Sequence, residues 1–193
     1  RSVGAVILAA GESRRFGGRK QLAMLGDRSL LEHVLEVAQG AGLAPIVAVV
    51  PVWLTRPAGM PDRTLRWVRN PHPERGMSHS LRLGFEALPA EISAAVILLG
   101  DQPTVSVEQL HSLVVGRGDR PIVAMHAGGS IGPPILVERS QFGIVDEPRG
   151  DIGLRDLLQA HPEWVLAVEV EEHAPDVDTA ADLDRLRDAL RDR

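Results

Sequence analysis

Cysteine is absent from the sequence, which excludes disulfide bonds, thiolate metal sites and a cysteine nucleophile. A chain without cysteine suits a reducing compartment, so we expect a cytoplasmic protein. No apolar run approaches the roughly 20 residues that cross a bilayer, and the first residues lack the pattern of a signal peptide. We therefore expect a protein that does not associate with a membrane.

Aromatic residues are scarce as well, at 3% of the sequence, and tyrosine is missing. The core must therefore consist mainly of alanine, valine, leucine and isoleucine. The formal net charge is −5, whereas nucleic-acid-binding proteins usually have a basic bias, so we expect no nucleic-acid partner. A length of 193 residues suits one α/β domain with its own core, and we predict a single domain over residues 1–193.

The apolar pattern predicts strands that alternate with helices. Continuous runs rich in valine and isoleucine predict buried parallel strands at 3–9, 45–50 and 94–99. Further strands are predicted at 64–68, 121–125, 135–137 and 164–170, and helices at 29–42, 76–88, 107–115, 152–159 and 179–191. Ser29 is a plausible N-cap of the first helix. This order predicts a three-layer α/β/α, Rossmann-like fold with a mostly parallel sheet.

Ligands of such sheets bind at the carboxyl ends of the strands, and a glycine-rich segment at 8–20 follows the first strand. Its small residues let backbone N–H groups approach an anion, and Arg15 and Lys20 add positive charge. The segment is neither a Walker A loop nor a dinucleotide-binding fingerprint. Its composition alone also permits a surface turn with solvated arginines.

Asp101 follows the buried strand at 94–99, where a carboxylate is well placed to hold Mg²⁺ together with substrate phosphates. The alternative is that Asp101 only caps a turn before the next helix. The acidic segment at 176–182 offers either a second metal ligand or favourable negative charge at a helix start.

Three further segments have the composition of ligand-binding loops. Residues 76–81 enter a helix N-terminus with Ser78 and Ser80, a place that suits an anion, although Ser78 equally suits an N-cap. The segments 132–134 and 150–153 are rich in glycine and proline and are predicted to be loops beside a pocket, or else plain turns.

Taken in order, these segments resemble the molybdenum cofactor nucleotidyltransferases, and within them the cytidylyltransferase branch. The matches are 8–20 to LAAGxSxRxGxxK, 76–81 to GMxxSL, 98–103 to LLxDQP, 150–153 to GDxG and 176–183 to DxDTxxDL. Each match alone is a weak signal, and the shared order over almost the whole chain identifies the resemblance.

The resemblance implies an Mg²⁺-dependent α/β nucleotidyltransferase that moves CMP from CTP to molybdopterin or molybdenum cofactor and releases pyrophosphate. Ala10 stands where the guanylyl branch has glycine, which points to CTP. The implied catalytic residues are Arg15, Lys20 and Asp101, and the implied Mg²⁺ ligands are Asp101 and Asp178. The implied nucleotide-binding residues are Leu8, Ala9, Ala10, Gly11, Ser13, Arg15, Lys20, Ser80 and Asp101. The implied acceptor-binding residues are Ser78, Gly132, Pro133, Pro134, Gly150, Asp151 and Gly153.

The sequence departs from the family pattern in two places on the acceptor side. Val137 stands where the family pattern leads us to expect an aromatic residue, and 146–149 is an unusual approach to the GDxG segment. One alternative is transfer to another phosphorylated acceptor, such as a sugar phosphate or phospholactate. Another is a non-catalytic chaperone that binds molybdenum cofactor. A molybdoenzyme that receives the product is a further candidate partner.

Overall fold

The computed structural model of the chain describes residues 2–61, 63–147 and 154–191. Seven strands form one sheet: β1 (Val3–Leu8), β4 (Ile46–Pro51), β5 (Leu65–Asn70), β6 (Ala94–Leu99), β7 (Ile122–Ala127), β8 (Ser130–Glu138) and β9 (Val165–Glu169). Their order across the sheet is β5-β4-β1-β6-β8-β7-β9. Two short strands, β2 (Met24–Leu25) and β3 (Arg28–Ser29), form a separate hairpin. Strand β8 pairs antiparallel with both of its neighbours and the other pairs of the large sheet are parallel, which confirms the mostly parallel α/β fold.

Helices cover both faces of this sheet. They are α1 (Leu30–Gly40), α2 (Met77–Glu86), α3 (Val107–Val115), α4 (Leu154–Ala160) and α5 (Ala180–Arg191), with short 3-10 helices at Lys20–Leu22, Pro73–Arg75, Arg139–Asp146 and Pro162–Trp164. Residues of α1 and α3 pack in one core with Ala5 and Ile7 of β1, whereas residues of α2 and α4 pack with Val6 on the opposite face. This alternation explains why β1 is a continuous apolar run: each of its faces lies under helices.

The start of helix α1 confirms Ser29 as the N-cap. The Ser29 hydroxyl accepts a hydrogen bond from the backbone N–H of Glu32, and the Glu32 carboxylate accepts one from the backbone N–H of Ser29, at 2.8 Å. The backbone N–H of Ser29, and after it the Ser29 side chain, stabilises the Glu32 carboxylate and lowers the pKa of Glu32. This reciprocal capping box stabilises the first turn of α1, which follows directly from the β2–β3 hairpin.

The prediction of a loop at 132–134 is wrong. Gly132, Pro133 and Pro134 lie inside β8, which begins at Ser130. Met125 pairs with Gly132 and Ala124 with Ile135, so a bulge in β8 takes up the two prolines between these pairs. Proline has no backbone N–H to donate to a neighbouring strand, but it is tolerated at a bulge. Because glycine and proline are more typical of loops, the sequence pattern predicted a loop here. The predicted loop of Gly150, Asp151 and Gly153 lies outside the described residues.

Helix α2 approaches the sheet closely at Gly84. A Cβ atom at Gly84 would lie 2.3 Å from Cγ1 of Val6 and 3.2 Å from Cγ2 of Val49, both buried in the sheet. This close packing places the first turn of α2 over the carboxyl ends of the strands. The first turn carries Met77, Ser78 and Ser80. The glycine therefore couples the packing of the core to the position of these side chains.

We expect Gly84→Ala to destabilise the protein. Alanine favours a helix by about 1 kcal/mol over glycine, but overpacking a well-filled core typically costs about 1–3 kcal/mol, and a contact of 2.3 Å puts this site at the upper end. Thermal unfolding should show a Tm lower by several degrees, since 1 kcal/mol shifts Tm by roughly 2–4 °C at this chain length. The matched control is Gly143→Ala, where a Cβ would meet nothing within 4 Å. An unchanged Tm for Gly84→Ala would contradict this account of the packing.

No helix in the described part of the chain is long and apolar enough to cross a bilayer.

Candidate active site

Two adjoining cavities open at the carboxyl ends of β1 and β6, of about 260 Å³ and about 300 Å³. Leu8, Met77 and Leu99 line both of them. The shared wall means that molecules bound in the two cavities would lie next to each other. We refer to them below as the first and the second cavity.

The glycine-rich segment forms one wall of the first cavity. Every residue that the sequence predicted to bind nucleotide lines this cavity, apart from Arg15: Leu8, Ala9, Ala10, Gly11, Ser13, Lys20, Ser80 and Asp101. Ser80 is buried in α2, and its hydroxyl accepts a hydrogen bond from Asn70 Nδ2 at 3.0 Å. The structure therefore brings together residues from segments that are far apart in sequence.

Gln21 holds the glycine-rich segment in shape, a role that the sequence did not predict. Its Nε2 donates to the backbone carbonyls of Ala9, at 2.7 Å, and Gly11, at 3.1 Å. Gln21 is buried and belongs to the 3-10 helix Lys20–Leu22, so it reaches Ala9 and Gly11 from a separate element of the fold. The fold therefore fixes the backbone that faces the first cavity.

Lys20 lies among acidic side chains rather than in solvent. Its Nζ is 2.7 Å from Asp101 Oδ2 and 3.3 Å from Asp178 Oδ1, and 15% of its side chain is exposed. The backbone N–H of Val177 donates to the Asp101 carbonyl at 3.0 Å, which ties this part of the C-terminal segment to the end of β6. Lys20 is also the only lysine in the sequence. Lys20 is therefore not a solvated surface lysine.

The arginines of the glycine-rich segment are placed differently. Arg15 Nη2 lies 3.2 Å from Asp178 Oδ2, with most of its side chain exposed at the rim. Arg14 pairs with Glu12, and Arg19 lies over the ring of Trp53, 4.9 Å from its centroid. Of these four basic residues, all of them described by the structure, only Lys20 lines the first cavity.

The Asp178 carboxylate does not cap helix α5, because Thr179 and Asp182 form the hydrogen bonds at the start of that helix. Asp182 Oδ2 accepts from the backbone N–H groups of Asp178, at 3.0 Å, and Thr179, at 2.7 Å. The Thr179 hydroxyl accepts in return from the backbone N–H of Asp182 at 3.1 Å. The Asp178 side chain is therefore not needed as a cap and contacts Lys20 and Arg15 instead.

The carboxylates of Asp101, Asp176 and Asp178 lie close enough to repel one another. Partial burial raises the pKa of Asp176, and the negative charge of Asp101 raises it further. Asp101 Oδ1 is buried and has no hydrogen-bond partner among the described residues. In the described ranges no group of three or more histidine or acidic side chains could hold a metal ion by itself. A divalent cation commonly binds through one or two carboxylates plus substrate phosphates, and the unpartnered Oδ1 of Asp101 could serve as one such ligand.

The second cavity contains several of the predicted acceptor-binding residues. Ser78, Gly132 and Pro133 line it, whereas Pro134 does not. Ser78 is buried inside α2, whose N-cap is Gly76, so the alternative of Ser78 as a simple N-cap is wrong. The sequence missed Gln102 and His173, which also line this cavity. Gln102 lay within a matched motif, but nothing in the sequence singled out His173.

A glycine-rich wall and a charged lysine–carboxylate pair at the carboxyl ends of the strands suit the binding of a nucleotide. The model of the MobA-like NTP transferase domain matches residues 5–165, and the chain belongs to this family. The resemblance to the molybdenum cofactor nucleotidyltransferases is thereby confirmed at the level of the family. The chain is an enzyme of the nucleotidyltransferase type.

Relatives and solved structures agree with this assignment. The chain is 31% identical over 199 residues to the purine catabolism protein PucB of Bacillus subtilis, which covers 96% of each protein. The crystal structure of Rv0371c from Mycobacterium tuberculosis superposes with a TM-score of 0.85 at 28% identity, covering 97% of this chain and 98% of that one. A complex of Rv0371c with manganese has a TM-score of 0.81 at 27% identity, covering 98% and 100%.

Proposed function

We propose that this enzyme transfers CMP from CTP to a molybdopterin-type acceptor in an Mg²⁺-dependent reaction that releases pyrophosphate. The observation that carries the proposal is the pair of adjoining cavities with Lys20 and Asp101 in the first. A group transfer between two small molecules needs both of them bound side by side, which the shared wall provides. We propose residues 1–193 as one transferase domain.

The residues of the first cavity would position and neutralise the triphosphate. Backbone N–H groups of the glycine-rich segment approach the phosphates, Lys20 meets them as a compact charge, and Arg15 adds charge from the rim. A terminal phosphate of the acceptor then attacks the α-phosphorus, and pyrophosphate leaves with the electron pair of the broken bond. The reaction needs no nucleophile from the protein, so catalysis consists of positioning and charge stabilisation.

Asp101 and Asp178 are the proposed ligands of Mg²⁺, which neutralises phosphate charge when it is bound. The unpartnered Oδ1 of Asp101 supports this choice, because a buried carboxylate oxygen without a partner is costly. The manganese complex of the mycobacterial relative also supports a divalent cation.

The acceptor side of the proposal is supported by the lining of the second cavity. Leu81, Ile97 and Ile135 give it apolar walls, which suit a ring better than they suit phospholactate. The intact Lys20–Asp101 pair counts against a chaperone that has lost catalysis. A molybdoenzyme partner and a cytoplasmic location stay predictions.

We predict that CTP binds at least tenfold more tightly than GTP in the presence of Mg²⁺. Ala10 lines the first cavity and is 4% exposed, so its methyl group occupies space that a glycine would leave to a larger base. A pocket difference of one methyl group discriminates by about 10- to 200-fold. Isothermal titration with both nucleotides measures the ratio, and Ala10→Gly should reduce it. Equal or tighter binding of GTP would overturn the choice of base.

Release of pyrophosphate tests the proposed reaction itself. Each NTP is supplied with Mg²⁺, with and without molybdopterin or its molybdenum form, and we expect release only when CTP and an acceptor are present together. If pyrophosphate is released only with a sugar phosphate or phospholactate, the chain is a nucleotidyltransferase with a different acceptor from the one proposed. Binding of molybdopterin without release from any NTP would instead indicate a chaperone.

A further inference from the structure

The second cavity is lined by residues with buried polar atoms that lack a hydrogen-bond partner among the described residues. They are Ser78 Oγ, Gln102 Oε1 and His173 Nδ1. A buried polar atom without a partner is costly, and such atoms are rare in folded proteins. Three of them around one cavity indicate that a ligand supplies the missing partners.

Gln102 presents a hydrogen-bond acceptor. Its Nε2 donates to the Ala174 carbonyl at 3.2 Å and to Asp176 Oδ1 at 2.8 Å. Both partners are acceptors, so the reversed amide would place oxygen against oxygen, which fixes the orientation of the side chain. Oε1 is therefore the free atom, and Gln102 is only 4% exposed.

His173 presents a second acceptor. Its Nε2 lies 3.0 Å from the Ser130 carbonyl oxygen, which can only accept, so Nε2 carries the hydrogen. With the hydrogen on Nε2, the unpartnered Nδ1 offers a lone pair. Gly132 makes room for the ring, because a Cβ there would lie 3.1 Å from its Cε1 and 3.2 Å from its Nδ1.

These groups select a particular kind of molecule. Two acceptors and one hydroxyl, set among the apolar walls, complement a planar ring with N–H donors along its edge. A phosphate or carboxylate in the same place would face two lone pairs and the carboxylate of Asp176, which also lines the cavity, as do the exposed side chains of Arg155 and Asp156.

We propose that Gln102 and His173 determine acceptor specificity by accepting hydrogen bonds from the amino edge of a heteroaromatic ring. The inference rests on the proposed function, since it assigns the second cavity to the acceptor substrate. The atoms that would accept from the ring are Gln102 Oε1 and His173 Nδ1. The close packing of the His173 ring accounts for the glycine at position 132. Neither side chain acts on the phosphates.

The first test varies the ligand. Binding of pterin to the full chain is followed by the fluorescence of the ring and compared with that of 2-dimethylaminopterin, in which methyl groups replace the amino hydrogens. We expect pterin to bind about tenfold more tightly or better, because a buried acceptor left without its donor is penalised. Equal affinities, or no binding of pterin, would overturn the proposal.

The second test uses two variants of His173 that separate the ring nitrogens. His173→Gln can keep a donor towards the Ser130 carbonyl but removes the acceptor at Nδ1, whereas His173→Asn can keep an acceptor near Nδ1 and removes the donor. We expect His173→Gln to weaken pterin binding about tenfold and His173→Asn to weaken it less. A purely structural role of the Nε2–Ser130 bond predicts the reverse order, and that result would overturn the proposal.

Titration of CTP with the same variants keeps this inference apart from the proposed function. CTP binding occurs in the first cavity and should be unchanged in both variants. If CTP binds and pyrophosphate release proceeds with an acceptor that lacks an amino-substituted ring, the transferase stands and the specificity proposal fails. If CTP does not bind the wild-type chain, the proposed function fails, whatever the pterin titration shows.

Discussion

Asp101→Asn is expected to lower kcat for pyrophosphate release by at least about a hundredfold while the chain stays folded. The carboxylate lies at the end of β6, with one oxygen on Lys20 and the other buried without a partner among the described residues. A neutral amide has nearly the same shape but is a poor ligand for a hard cation. The measurement is steady-state release of pyrophosphate with saturating CTP, acceptor and Mg²⁺.

The stability of Asp101→Asn should change little, because two effects oppose each other. The substitution weakens the pair with Lys20, which retains Asp178 at 3.3 Å. It also removes a negative charge that raises the pKa of Asp176, and so relieves repulsion between like charges. We expect Tm to stay within about 4 °C of the wild type, the shift that corresponds to roughly 1 kcal/mol.

A surface aspartate provides the matched control for Asp101→Asn. Asp27 pairs with Arg28 on the surface, and its side chain is 85% exposed. Asp27→Asn should keep activity within about twofold, since exposed pairs contribute under about 1 kcal/mol. Near-normal kcat for Asp101→Asn would make Asp101 a turn cap and place the cation elsewhere.

The layout of the fold could be predicted because it depends on local patterns. Continuous apolar runs marked β1, β4 and β6, and Ser29 marked the start of α1. The position of the site followed from these strands, since ligands of such sheets bind at the carboxyl ends. Local sequence was sufficient wherever neighbouring residues decide the structure.

Strand β8 was predicted only in part, because its pairing depends on residues outside the strand. Pro133 and Pro134 read as a loop, and only the partner register at Ala124 and Met125 shows that they occupy a bulge. The roles of Gln102 and His173 were hidden for the same reason. Gln102 meets Asp176 across 74 positions of sequence, and His173 meets Ser130 across 43. Contacts of this kind exist only after the sheet has assembled.

The exposure of Lys20 was another property that sequence left open. The basic residues of the segment look alike in sequence, and composition alone permitted a surface turn with solvated arginines. The structure separates Lys20 from Arg14 and Arg19 because the 3-10 helix at Lys20–Leu22 turns it towards Asp101 and Asp178. The position of Lys20 therefore supports a contact with the phosphates of a nucleotide.

Lys20→Ala is expected to lower kcat/KM for CTP by about ten- to hundredfold, because a charge-assisted contact contributes roughly 1.5–3 kcal/mol. Part of the loss should appear in kcat, since the departing pyrophosphate gains charge and the contact strengthens in the transition state. The variant also leaves Asp101 and Asp178 without their shared lysine, so Mg²⁺ no longer competes with an ammonium group and should act at a lower concentration than in the wild type. Steady-state kinetics with varied CTP and saturating acceptor measure the first effect, and a titration of Mg²⁺ measures the second.

Arg19→Ala is the matched control for Lys20→Ala. Arg19 is the adjacent basic residue, but it lies over Trp53 and does not line the first cavity. Its loss should leave kcat/KM within about threefold, the effect of a weakly held surface cation. Since Lys20 is the only lysine in the sequence, methylation with ¹³C-formaldehyde labels one side-chain amine, whose NMR signal should shift when CTP is added. An unshifted signal, together with a loss below about threefold in Lys20→Ala, would leave phosphate binding to Arg15 and the backbone N–H groups alone.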